Sequence, residues 1–149
     1  KKLEKYMNEE IGIKGKLKIE LIRDGKVVQE EKVNNIIVTT GKALVATLVS
    51  GSGTSFSHMA IGTDNTTEVV GDSSLTAEVG RVTLTSKAVS TNVISYIGDF
   101  PAGTGTGTIT EAGILNASSS GTMLNRATFS SVNKTASDAL KITWSVTLG

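Results

Sequence analysis

Residues 16–33, KLKIELIRDGKVVQEEKV, decide how the chain is built. Leu17, Ile19 and Leu21 recur at every second position, so an extended backbone sets them on one face, with Lys16, Lys18 and Glu20 on the other. Asp24-Gly25 then supplies the positive φ angles of a tight hairpin turn, and residues 27–33 return as the partner strand. The outward Lys and Glu side chains are placed to pair across the two strands, an interaction worth tenths of a kcal/mol per pair.

The two-residue period returns in residues 140–148, LKITWSVTL. Leu140, Ile142, Trp144, Val146 and Leu148 fall on one side; Lys141, Thr143, Ser145 and Thr147 fall on the other. Between these ends, strands are expected at residues 36–39, 57–61, 79–88, 92–100, 108–116 and 122–129. Turn-forming residues separate several of them: Ser90-Thr91-Asn92, the flexible tip TGTG at 104–107, and Ser118-Ser119-Ser120-Gly121. Thr40 can cap a helix over residues 41–49, whose apolar stripe is Leu44, Val45, Leu48 and Val49, with Gly51 closing it. Residues 63–74 read as a polar loop. Eight to ten short strands at this spacing imply an all-β fold, a two-sheet β-sandwich or jelly-roll-like barrel with one short helix and an N-terminal β-hairpin and arm.

The 149 residues suit one domain of ordinary size, enough to enclose its own core. Aromatic residues make up only 4%, so that core rests on Val, Ile, Leu and Ala. Twenty Thr and 16 Gly match a sheet-and-turn chain. Cysteine is absent, which excludes disulfides and thiolate chemistry. A net charge of +1 gives no bulk attraction to DNA or anionic lipid. No apolar run reaches the roughly 20 residues that span a bilayer, and no signal peptide is expected. Charge is uneven: residues 1–34 hold 9 of the 15 Lys+Arg and 7 of the 14 Asp+Glu. The boundaries drawn from this are an arm at residues 1–14, a charged hairpin at 15–35 and a β-sandwich body at 36–149. Within the arm, Leu3, Tyr6 and Met7 have i, i+3, i+4 spacing. With Ile11 and Ile13 after them, they are the candidate partner-binding residues.

Candidate chemistry is sparse. His58 is the only histidine; no second His or Cys stands ready to share a metal, and no GxSxG motif supplies a nucleophile for it. It reads as structural. Asp64, Asn65, Glu68 and Asp72 offer oxygen ligands within one loop, but their spacing is not that of an EF-hand, and a solvated loop is expected. Gly103, Gly105 and Gly107 imitate a phosphate-cradling loop. Such a loop needs a helix directly after it, whereas a β-type stretch follows here. Glu111, Arg81 and Arg126 lie in otherwise neutral strands and are expected to pair inside or at the edge of the sandwich. No catalytic, cofactor or metal residue is assigned.

Five stretches resemble those of tailed-bacteriophage virion proteins: VNNIIVTTGKALVATLVSG at 33–51, SHMAIGTDNTT at 57–67, LTAEVGRVTLTS at 75–86, FPAGTGTGTITEAGILN at 100–116, and TMLNRATFSSVNKTASDALKITWSVTL at 122–148. The resemblance implies a non-enzymatic virion protein assembled in the host cytoplasm. It implies a capsid decoration (cement) protein or, alternatively, a tail-fibre, baseplate or neck appendage. The partners it implies are further copies of the chain, as a homotrimer, and the major capsid protein, with no nucleic acid, membrane, cofactor or small-molecule substrate. An arm could add a strand to a neighbour's open sheet edge.

Overall fold

Alternating apolar residues on ten strands leave two inner faces to be buried, and the chain buries them against each other. The computed structural model describes residues 12–149. Strands β1 (Ile13–Arg23) and β2 (Lys26–Asn34) form the expected hairpin, with Asp24 at φ 52° and Gly25 at φ 74° in its turn. A two-residue β3 (Ile36–Ile37) leads into helix α1 (Thr39–Val49). Then come β4 (His58–Gly62), β5 (Glu78–Thr83), β6 (Ser86–Ser90), β7 (Val93–Phe100), β8 (Gly107–Leu115), β9 (Met123–Lys134) and β10 (Ala139–Leu148). The result is an antiparallel two-sheet β-sandwich. Sheet A runs β2-β1-β10-β7-β6 and sheet B runs β3-β9-β8-β4-β5.

β1 lies between β2 and β10 and keeps register with β10 from Ile13 opposite Leu148 to Ile22 opposite Ala139. Leu17 faces Trp144, Ile19 faces Ile142 and Leu21 faces Leu140, all nearly inaccessible to solvent. Each such aliphatic side chain contributes roughly 1.5–3 kcal/mol through burial. The change in charge density near residue 35 marks the point where the chain leaves sheet A for sheet B. Asn35 makes the crossing: its N–H donates to the Gly15 carbonyl, and its Oδ1 accepts from the Trp144 indole at 2.6 Å.

Several expectations are corrected by the packing. The helix begins at Thr39 with Val38 as its N-cap and no side-chain cap; Thr40 is the second helical residue. Val49 does not join the apolar stripe and is 82% exposed. Residues 79–88 form no single strand. The Leu84 N–H donates to the Ser57 carbonyl and the Thr85 N–H to Ile97, so β5 stays in sheet B while β6 joins sheet A. β9 continues to Lys134, well past residue 129. The glycine tip at 103–107 is folded down rather than free: a Cβ on Gly80 would come within 2.8 Å of Gly105 Cα, so two glycines allow the tip to lie directly on β5. Across the hairpin, Lys18 faces Lys32 and Glu20 faces Glu30. The ion pairs run along each strand instead, Lys18–Glu20 at 3.6 Å and Lys32–Glu30 at 3.4 Å.

Candidate functional site

The outer face of sheet B is where buried charge collects. In β8 and β9 the register sets Glu111 opposite Thr128 and Gly113 opposite Arg126, which places the two charged side chains diagonally on the outward face. Residues 63–77 cross over them, and Leu75 packs with Val38, Ala60, Leu115 and Met123 in a second small core beneath. Glu111 and Arg126 are 0% and 1% exposed. A lone buried charge is costly, and these two are held by many partners.

Glu111 Oε1 accepts from Arg126 Nε and from the Thr76 N–H, both at 3.0 Å. Its Oε2 accepts from the N–H groups of Ala77 at 2.8 Å and Asp64 at 3.2 Å. Arg126 also donates to the Thr66 carbonyl at 2.9 Å, to Asp72 at 3.2 Å and to Asp64 at 3.4 Å. Asp64 further accepts from the Thr66 N–H, which with the nearby guanidinium holds its carboxyl below the ordinary range. Glu68 accepts a hydrogen bond from the Thr128 hydroxyl. The acidic stretch is therefore not a merely solvated loop. Its carboxylates gather around the guanidinium; Glu111 accepts four hydrogen bonds and Arg126 donates four of its five N–H groups.

The other sequence candidates are dispersed. Arg81 pairs with Glu78 at 2.7 Å rather than with Glu111, and it donates to the carbonyls of Ala117 and Ser120, bracing the β8–β9 loop. His58 contacts the Ser57 hydroxyl through Nδ1 at 2.7 Å and the Thr83 hydroxyl through Nε2 at 3.4 Å. Hydroxyls on both nitrogens leave no carboxylate to orient the ring or stabilise an imidazolium, as a triad requires. Ile13 is partly buried in β1 and lines a half-open apolar pocket of about 250 Å³ with Leu48, Phe56, Tyr96 and Leu148. Leu3, Tyr6, Met7 and Ile11 lie outside the described residues. Among the described residues, no group of three or more His, Asp or Glu is placed to hold a metal. No helix among them is long and apolar enough to cross a membrane.

A second ionic cluster escaped the sequence reading. Arg23, at the end of β1, forms a two-pronged bond with Asp138 at 2.9 and 2.8 Å, and the Thr135 N–H donates to the same carboxylate. The guanidinium and that N–H hold the Asp138 carboxyl well below its usual range. Nearby, buried Lys134 donates to the Pro101 carbonyl at 3.0 Å, and burial lowers its ammonium pKa. Separations of 115 and 33 residues leave no local pattern to announce either contact. No family model, curated protein or solved structure matches the chain.

Proposed function

We propose that this chain is a non-enzymatic structural protein of a tailed-phage particle: a capsid decoration protein that binds the outer head surface and stiffens the shell. The observation that supports it best is the use to which the buried charges are put. Glu111, Arg126, Asp64 and Asp72 spend their hydrogen-bonding capacity on one another and on the backbone of residues 63–77. Groups committed in this way fasten a loop instead of meeting a substrate. The resemblance of five sequence stretches to those of virion proteins is the second support for this reading. A protein that binds assembled shells and not free subunits stabilises the shell by mass action.

The test is direct. Purified protein added to phage heads lacking it should bind in stoichiometric amount and raise the temperature at which the heads release DNA. Electron microscopy of labelled particles should place it on the shell. Label confined to the tail would replace this reading with the appendage one, and turnover of a small molecule, abolished by His58→Ala, would overturn both.

A further inference from the structure

The two outward faces of the sandwich differ in net charge, sheet A carrying more lysines than acids and sheet B more acids than arginines. On sheet A, register aligns Lys14 with Thr147, Lys16 with Ser145 and Asn34, and Lys18 with Thr143 and Lys32. Followed across β7 and β6, these three rows meet only Val93, Ser95, Ile97 and the residues of β6 opposite them. They hold four lysines and no acid. The next row holds Glu30, Glu20, Lys141 and Asp99, so the acids of this face lie along one border of the lysine rows. Lys18 and Lys32 are paired along their strands with Glu20 and Glu30, while Lys14 and Lys16 have no ion pair among the described residues, so an acidic partner would meet those two ammonium groups there.

On sheet B the outer surface is formed by residues 63–78, which contain Asp64, Glu68, Asp72 and Glu78 and no lysine. Its two arginines are turned inward: the Arg126 side chain is 1% exposed and that of Arg81 10%, against 26%, 23% and 32% for Asp64, Asp72 and Glu78. Solvent therefore meets carboxylates. Exposed Val69 and Val70 lie among them.

We propose that copies of this chain stack face to back, the lysine rows of sheet A on one copy against the acidic loop of sheet B on the next. The contact is heterologous, so every copy keeps one free face of each kind, and the stack closes into a ring or propagates according to the rotation per step. Three rows ~7 Å apart across five strands ~4.8 Å apart offer roughly 500 Å² per partner. That is about 1,000 Å² in all, the lower end for a specific interface. The contact is accordingly weak between free molecules and effective where many copies are held close. No aromatic or arginine stands in those rows to hold a nucleic acid by stacking or by a forked contact to phosphate. The inference holds whether or not the protein decorates a shell.

Sedimentation of the full chain tests it. Self-association should be present at low ionic strength and fall by roughly tenfold or more between about 50 and 500 mM salt. Lys14→Glu with Lys16→Glu cancels the positive charge of the three rows, leaving Lys18 and Lys32 against two glutamates. Thr67→Lys with Ser73→Lys, at exposed loop positions, reduces the negative charge of the sheet B loop without touching the Arg126 cluster and leaves sheet A unchanged. Each double variant alone should be monomeric with unchanged Trp144 fluorescence, while an equal mixture of the two should associate. Self-association of either variant at wild-type strength, a monomeric mixture, a monomeric wild type at low salt, or tight retention of duplex DNA by the wild type would each overturn the proposal.

Discussion

Glu111→Gln tests whether one carboxylate fastens the long loop to sheet B. The carboxylate accepts four hydrogen bonds, two on each oxygen: Arg126 and Thr76 on Oε1, Ala77 and Asp64 on Oε2. A glutamine amide has one oxygen, and its NH₂ must face two of those donors whichever way it turns. Keeping Arg126 and Thr76 satisfied leaves the Ala77 and Asp64 amides against hydrogens. Each unmet donor costs about 1–3 kcal/mol where water cannot reach it. The expected loss is therefore about 4 kcal/mol, out of the ~5–15 kcal/mol typical of a domain, with a fall in Tm of roughly 8–16 °C. Trp144, the only tryptophan and fully buried, reports unfolding in a urea titration. Hydrogen exchange at residues 64 and 77 reports the loop itself. A loss below about 1 kcal/mol, with exchange at those two amides unchanged, would refute the idea that Glu111 anchors the loop.

Three further outcomes follow from the packing. Asp138 has its pKa lowered by Arg23, so its stabilisation is complete above the unfolded carboxylate value of about 4 and is withdrawn as pH falls below it; Asp138→Asn should flatten the acid limb of Tm against pH, and an unaltered limb would discount the pair. Burial pushes the Tyr96 phenol up to about 12. Stability should accordingly drop as pH rises past the unfolded value of about 10, and phenolate absorbance should show one of the two tyrosines ionising late, a step lost in Tyr96→Phe. Gly41→Ala gains about 1 kcal/mol in helix propensity, but its Cβ would strike the Leu124 backbone; overpacking of about 1–3 kcal/mol should exceed that gain, so a more stable variant by thermal melt would contradict the close helix–strand contact.

The fold was legible where residues signal locally. The β1–β2 hairpin declares itself through the alternation of Leu17, Ile19 and Leu21 and the backbone demands of Asp24-Gly25, and β10 through five apolar residues in strict alternation. The sheet switch between β5 and β6 was not legible, because Leu84-Thr85 carries no glycine or proline and differs from its neighbours only in which distant carbonyls its N–H groups find. The tail of β9 was missed for a related reason: residues 130–134, SSVNK, are polar apart from Val132, although they complete the ladder to Gly107–Ile109. At the candidate site, a glutamate and arginines in neutral strands gave fair notice that Glu111 and Arg126 would pair. The loop acids gave none, since Asp64 lies 62 residues from the guanidinium it meets. The lysine face was readable in part: Lys14, Lys16 and Lys18 alternate, and alternation puts them on one side. The arrival of Lys32 opposite Lys18 depended on hairpin register.

One feature of sheet A governs how the domain can carry mechanical stress. β1 and β10 are antiparallel neighbours, and the Gly149 N–H bonds to the Gly12 carbonyl at 2.7 Å, so both ends of the described chain emerge at one corner. Tension drawn between those ends would open the β1–β10 seam rung by rung, like a zip, the weakest way to pull on a hydrogen-bonded ladder. Force applied across the broad faces instead presses the sheets together, which makes the fold suited to compression and poorly suited to serving as a link in a stretched cable.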